Sequence, residues 1–363
     1  MKKRSKALWE KEAGKDKPAL TMGLDLGDRH SRYCLLNQEG EVVEEGRMQS
    51  TEAAFRRHFE GEPRQRVALE CGTHSPWVSR LLQSLGHQVL VANPRKLPAI
   101  TASQSKNDRN DAEQLARLAA SDPKLLSPLR HRSLERQQDL NLIQARATLV
   151  RARTMIVNAL RGLAKSHGAR LPACSTASLP MRVGAAIPAA LAEVACPLLE
   201  QVALLNQQIG AMDRQIEKLS DKYPEIGVLR TAPGVGPLVA AAYVLTLDRP
   251  DAAANRSAGA FLGLRPGQEQ SGDSDPQLRI SKAGDSYLRA LLVQSAHYIL
   301  GRFGPDSALR RWGLKLAQSG GQRGKKRAII AVARKLAVLL HSMWRSGQSF
   351  QPFPQPATAT TAA

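Results

Sequence analysis

The feature that most constrains this chain is the order of its short apolar segments after Thr21. TMGLDLG is an apolar run holding one acid. SRYCLLNQ and EVVEEGRMQ follow at tight intervals with turn residues between them, and the three read as antiparallel strands. TEAAFRRHFE opens on a threonine cap and has helical spacing. RVALECG then reads as a strand, SPWVSRLLQSL as a helix and HQVLVANP as a strand, and a further helix begins near Asp108. The order β-β-β-α-β-α-β-α calls for a mixed sheet with helices packed on it. In that order the first and fourth strands lie side by side at the middle of the sheet.

Acids mark that middle. Asp25 stands in the middle of the first strand, between Leu24 and Leu26, so the strand period of two turns it away from both. Glu70 closes the strand RVALE. Asp108 and Asp111 stand three apart in KNDRNDAEQLA, at a helix start. The macrodipole favours an acid there, but a spacing of three points both carboxylates to one side. Four carboxylates converging on one small volume repel one another unless divalent cations lie between them, and an all-oxygen ligand set favours Mg²⁺ or Mn²⁺. Two such ions can clamp a scissile phosphate. The alternative is a set of separate structural acids: a capping aspartate, a surface glutamate and a strand acid paired with an arginine.

The charge balance indicates what such a site would act on. The 363 residues carry 52 Lys and Arg against 32 Asp and Glu, a formal net charge of +20. That excess suits a polyanion, because neutralising phosphates releases condensed counterions. No apolar run of membrane-spanning length and no signal-like segment is read, so no membrane partner is expected and the protein is placed in the cytoplasm. Cys34, Cys71, Cys174 and Cys196 are scattered without a C-x-x-C pair and are expected to be reduced and structural. Aromatic residues make up 4% of the chain, which argues against a platform that stacks single strands.

Five segments are expected: a flexible basic arm at 1–20, a strand-and-helix domain at 21–125, a helical hairpin or coiled coil at 126–223, a mainly helical C-terminal domain at 224–347, and a disordered Pro/Ala/Thr-rich tail at 348–363. In the hairpin, Leu140, Ile143, Ala147, Val150 and Val157 form one seam. Arg146, Arg151, Arg153 and Arg161 lie among them as candidate nucleic-acid contacts. Leu198, Val202, Leu205, Ile209, Met212, Ile216 and Leu219 alternate steps of four and three, a heptad seam that pairs either within the chain or with a second copy.

Three stretches of the C-terminal region bear on function. APGVGPLVAA is expected to form the turn of a helix-hairpin-helix element, with Gly234 and Gly236 opening backbone N–H groups to phosphate. Ser271 lies in a polar loop bracketed by Arg265, Arg279 and Lys282. It is either a turn serine or a hydroxyl able to attack phosphorus with cations nearby. Residues 321–345 contain no acid, and Lys325, Lys326 and Arg327 are expected to contact a phosphate backbone.

GLDLG, ALECGTHSPW, SKNDRNDAEQLARLA, LRTAPGVGPLVAAAYV and AGAFLGLRPGQEQSGDS, in this order and spacing, make the chain resemble the insertion-sequence transposases of the IS-one-ten group from Thr21 to Arg345. The resemblance implies α/β plus α architecture: an RNase H-like (RuvC-like) domain with a mixed sheet, a coiled-coil middle and a mainly α transposase domain. It implies that Asp25, Glu70, Asp108 and Asp111 are the four metal-binding acids of the family and that Ser271 is its nucleophile, which becomes attached to a DNA 5′ phosphate. It further implies donor and target double-stranded DNA, a noncoding RNA from the element that bridges them, and homodimers assembling into a tetramer. The family loop usually reads Ser-Ser-Gly-Gly before a basic residue, whereas this chain has Gln270-Ser271-Gly272-Asp273-Ser274. Ser274 is therefore a second candidate nucleophile and Ser257 a third. A metal-dependent nuclease of the Holliday-junction-resolvase type, using water in place of serine, is the competing reading. A catalytically inert nucleic-acid-binding protein is another.

Overall fold

The computed structural model describes residues 18–94, 108–251, 257–271, 274, 276, 278–319 and 321–354. Five strands, β1 (Thr21–Asp25), β2 (His30–Leu36), β3 (Val42–Gln49), β4 (Arg66–Glu70) and β5 (Gln88–Ala92), form one sheet in the order β3-β2-β1-β4-β5. β2 is antiparallel to β1 and β3, whereas β4 is parallel to β1 and β5. The strand order read from the sequence holds, with β1 and β4 adjacent at the centre.

Alternation along the strands gives the sheet two different faces. Met22, Leu24, Val67 and Leu69 pack against Phe55 and Phe59 of α1 (Glu52–Phe59) and against Val78, Leu81 and Leu82 of α2 (Ser75–Ser84). Thr51 caps α1 by accepting from the Ala54 N–H, as the sequence reading expected. The opposite face carries Cys34, Leu36, Ala68, Leu90 and Ala92 and is covered by α3 (Asp108–Ser121) through Ala112, Leu115, Ala116 and Ala119. Burial pushes the Cys34 thiol up to about 11, with Glu45 and Glu113 adding to it, so this cysteine stays protonated and serves as a small core residue.

The chain divides into two compact units, residues 1–133 and 134–363. In the second, α4 (Leu134–Ser166) and α5 (Ala192–Lys222) run antiparallel. Lys222 Nζ lies 2.6 Å from Asp139 Oδ2, and Arg153 Nη1 donates to Asn206 Oδ1 at 2.8 Å. Ile143, Ala147 and Val157 of α4 and Val202, Leu205, Ile209, Ile216 and Leu219 of α5 are buried, so the seam read as a heptad closes within the chain. Leu140, Ile143, Ile216 and Leu219 also join the core of the C-terminal helices. These helices are α6 (Pro224–Leu229), α7 (Pro237–Leu247), α8 (Ser286–Leu300), α9 (Ala308–Gln318) and α10 (Gly321–Ser346). One continuous core thus crosses the position where the sequence reading drew a boundary, at residue 224.

Two expectations need correction. The stretch Ala189–Lys222 is long and apolar enough, by length and composition, to span a membrane, where no such run was expected. Val202, Leu205, Ile209, Ile216 and Leu219 are buried in it, while Val194 and Leu204 are exposed along with Glu193, Glu200, Asp213 and Lys218. The tail was read as disordered from 348, yet residues 348–354 pack on the second unit. The Phe350 N–H donates to Thr231 Oγ1 at 2.8 Å, the Ala308 N–H donates to the Pro352 carbonyl at 2.9 Å, and the Arg311 guanidinium lies 4.8 Å from the Phe353 ring centre. Two phenylalanines anchor a stretch whose composition alone looked structureless. Residues 1–17 of the expected arm and 355–363 of the tail lie outside the described residues.

Candidate active site

The candidate acidic site is arranged around a glycine. A Cβ at Gly23 would lie 1.9 Å from the Ala112 carbonyl oxygen and 2.4 Å from the Ala116 nitrogen, so α3 rests directly on the backbone of β1. At the other end of the helix, the buried Arg66 side chain at the start of β4 donates from Nη1 to the Ala119 carbonyl at 3.1 Å and from Nε to Gln88 Oε1 at 2.9 Å. A cation at the last turn of α3 complements the helix dipole. These contacts fix α3 antiparallel to β1 and β4. Its N-terminus therefore lies toward the strand ends that carry Asp25 and Glu70.

Simple lengths show how closely the levels match. Asp25 is two residues beyond Gly23, about 7 Å along the strand. Asp111 and Asp108 are about 4 and 9 Å along α3 from the midpoint of Ala112 and Ala116. Leu24 pairs with Leu69, which sets Glu70 level with Asp25 on the neighbouring strand. Gly23 and Asp25, like Ala68 and Glu70, fall on the α3 side of the sheet by the period of two. The first helical residue is Asp108, whose side chain lies outside the described residues, and Asp111 is half-buried. Arg109, between them, pairs with Glu45 of β3 at 2.6 Å. Among the described residues, no three His, Cys, Asp or Glu side chains stand close enough to hold a metal ion. The four candidate acids are all carboxylates, a chemistry that suits a hard divalent cation.

The candidate nucleophile belongs to the second unit. Residues 263–271 and 278–282 pair as the two sides of an irregular hairpin: the Gly267 N–H donates to the Arg279 carbonyl at 2.9 Å and the Ser281 N–H to the Arg265 carbonyl at 2.9 Å. Its base is held by Arg289 of α8, which donates to the Leu262 and Ala283 carbonyls at 3.1 and 2.8 Å. Gly263 (φ 68) sits there with no room for a Cβ, which would meet the Ala283 backbone at 2.3 Å. At the tip, the Ser271 and Ser274 backbones exchange hydrogen bonds of 3.1 Å, and both serines are exposed. The sequence offered a loop here; the structure makes it a paired arm presenting two serines. Arg265, Arg279 and Lys282 are exposed along it, and Arg265 donates to Gln268 Oε1 at 2.9 Å. Asp273 and Asp275 lie outside the described residues, whereas Ser257 is half-buried beside the short helix Ala258–Phe261.

The expected nucleic-acid contacts divide. Arg146 pairs with Asp213 and Arg153 with Asn206, so these two brace α4 against α5. Sequence periodicity shows a basic face but not the acid or amide across the seam, so this bracing role was not read. Arg151 is exposed, donating to Thr148 Oγ1 at 3.0 Å, and Arg161 is half-buried. The α10 helix buries Ala328, Val332, Ala333, Leu336, Ala337, Leu340 and Met343 and exposes Arg323, Lys325, Lys326 and Arg327. The turn at Gly234 (φ 73) leads to Gly236, which precedes Pro237 at the start of α7, so a glycine turn joins α6 to α7 in the segment where the helix-hairpin-helix element was expected.

Residues 22–168 match a transposase family of the DEDD type, and residues 227–311 match the transposase family IS116/IS110/IS902. A Sinorhizobium fredii protein carrying the transposase name y4pF/y4sB is 31% identical over 305 residues, covering 81% of this chain and 76% of its own length. The chain belongs to the IS116/IS110/IS902 transposase family. The transposase for insertion sequence element IS1111A of Coxiella burnetii is 26% identical over 363 residues, 95% of each chain. That for element IS1328 of Yersinia enterocolitica is 29% identical over 255 residues, 68% of this chain and 74% of its own. The first match ends just past α4 and the second runs from within α6 to within α9, so the candidate acidic site and the serine hairpin of this transposase fall in separately matched regions.

The basic face of α10 yields a direct prediction. Lys325→Ala/Lys326→Ala is expected to weaken binding to duplex DNA of any sequence and to flatten the log–log salt dependence by about 2, one for each lost phosphate contact. Fluorescence anisotropy at several salt concentrations measures this. An unchanged slope would place the DNA elsewhere.

Gly23 and Arg66 are the positioning residues that the sequence reading passed over. A glycine inside an otherwise apolar strand was the available signal, because it commonly marks close approach of another backbone. Arg66, at the start of an apolar strand, gave no comparable sign.

Proposed function

We propose that this transposase cuts and rejoins DNA through a phosphoserine intermediate at Ser271, with Asp25, Glu70, Asp108 and Asp111 as the site for Mg²⁺ or Mn²⁺. The observation that carries this reading is the seating of α3 on Gly23, which brings the N-terminal end of α3 level with the ends of β1 and β4. In this reading the first unit is an RNase H-like domain. When bound, the cations offset the charge that develops on the scissile phosphate. The four carboxylates hold them, and Gly23 and Arg66 keep the carboxylates in register.

The Ser271 hydroxyl loses its proton and its Oγ forms a bond to phosphorus as the bond to the 3′ oxygen breaks. The departing 3′ oxygen takes up a proton, and the 5′ phosphate stays on the serine. Attack by a second 3′ hydroxyl reverses the step, joins new strands and frees the serine. Arg265, Arg279 and Lys282 line the arm and stabilise the negative charge that accumulates during transfer. A noncoding RNA from the element selects donor and target, and homodimers assemble into a tetramer to hold both duplexes.

The test is a covalent-adduct assay with Mg²⁺, the element RNA and labelled DNA carrying a recombination site. A labelled protein band on a denaturing gel is expected for the wild type and lost in Ser271→Ala. If the band survives Ser271→Ala and disappears in Ser274→Ala, the serine chemistry stands and the nucleophile is Ser274. Cleaved DNA without any adduct in every variant would assign the attack to water.

A further inference from the structure

Beside the Gly234–Gly236 turn lies a groove of about 490 Å³ that the strand-transfer chemistry leaves unused; Arg230, Val235, Val239, Leu291, Gln294 and Tyr298 line it. Its walls differ in chemistry. Val235 and Leu291 are 5% and 6% exposed and, with Val239, provide an apolar floor. Gln294 is exposed and offers an amide that both donates and accepts. Arg230 stands at the rim, held 2.6 Å from Glu217 Oε1 and 35% exposed.

The aromatic wall is Tyr298. Tyr298 is 48% exposed as a residue, whereas Tyr33, Tyr223 and Tyr243 have their hydroxyls engaged within the chain. Tyr33 donates to Glu44, Tyr223 donates to Asp139, and Tyr243 is buried with its hydroxyl on the Ala337 carbonyl. The turn is fitted to this ring: a Cβ at Gly234 would lie 3.2 Å from Tyr298 Cδ1 and 3.0 Å from the Ser295 carbonyl oxygen. The scarcity of aromatics in the sequence argued against an extended stacking platform. A single base needs a single ring.

We propose that this groove takes one unpaired nucleotide, its base stacked on Tyr298, its edge hydrogen-bonded to the Gln294 amide and its phosphate toward Arg230. Every base offers a π-face, so stacking tolerates sequence while the amide adds a preference. The inference rests on the reading of the Gly234–Gly236 turn as a nucleic-acid grip and adds a nucleotide subsite to it. The unpaired nucleotide has two possible sources, an opened DNA strand and a loop of RNA.

The test uses the full chain with short single-stranded DNA and RNA oligonucleotides, each carrying one 2-aminopurine, and the same sequences as duplexes. Single strands are expected to bind with a change in 2-aminopurine fluorescence that the duplexes lack. Tyr298→Ala should abolish that change and weaken single-strand binding at least about tenfold, Tyr298→Phe should retain both, and Gln294→Ala should alter base preference. A signal from DNA alone or from RNA alone supports the subsite and identifies its source. Single-strand binding and fluorescence unchanged in a folded Tyr298→Ala protein would overturn the proposal. Adduct formation is measured separately, so a failed Ser271 assignment leaves this outcome readable.

Discussion

Asp111→Asn is expected to lower DNA strand cleavage on the order of a thousandfold or more, because each lost 1.4 kcal/mol of transition-state stabilisation costs about tenfold and cation coordination supplies several. DNA binding should be retained or slightly tightened, since the substitution removes a negative charge near the phosphates. Thermal stability should not fall, because the uncharged amide relieves repulsion within the carboxylate set. Chelation with EDTA should bring the wild type down to the level of the variant, and added Mn²⁺ should rescue only the wild type. Single-turnover cleavage and anisotropy measured on the same samples separate chemistry from binding. A variant that cleaves at wild-type rates would make Asp111 a helix-start acid and nothing more.

Gly23→Ala carries the second large effect, and it is structural before it is catalytic. The added methyl would stand 1.9 Å from one backbone atom of α3 and 2.4 Å from another, neither of which can rotate away as a side chain could. The helix must shift off the sheet, opening the contacts of Ala112, Leu115, Ala116 and Ala119 with the strands. A cost of about 3 kcal/mol or more is expected, at the upper end of overpacking penalties. In addition, cleavage should be lost at temperatures where the protein remains folded, since Asp108 and Asp111 move with the helix. Gly72→Ala is the control: no atom lies within 4 Å of its Cβ position, and it should melt near the wild type. Thermal denaturation alongside cleavage assays of both variants checks this. Equal behaviour of the two variants would contradict the close seating of α3.

The contrast between Asp25 and Arg146 shows why some of the site was legible and some was not. Strand and helix periods are local properties. They were enough to mark five strands, to set the first beside the fourth with Glu70 closing the latter, and to start a helix near Asp108; Asp25, read as mid-strand, is instead the last residue of β1. The fate of a charged side chain depends on what faces it from far along the chain. The pairing of Arg146 with Asp213, 67 residues away, was invisible to periodicity. Arg66 became a brace for α3 only once the Ala119 carbonyl arrived beside it. Phe350 and Phe353 were submerged in a Pro- and Thr-rich composition, and their docking depends on Thr231 and Arg311. The hairpin bearing Ser271 was likewise hidden: Gly267 and Arg279 pair across a polar stretch with no strand-like pattern. Gly23 is the instructive case, since its signal was local and pointed to a close backbone approach.

The claim that four carboxylates on two strands and one helix form a single divalent-cation site is tested most directly by Mn²⁺ binding, measured by electron paramagnetic resonance on the protein–DNA complex. Saturable Mn²⁺ binding is expected in the wild type and should be lost in each of Asp25→Asn, Glu70→Gln, Asp108→Asn and Asp111→Asn, with DNA still bound. Wild-type Mn²⁺ binding in the variant lacking all four carboxylates would contradict the claim.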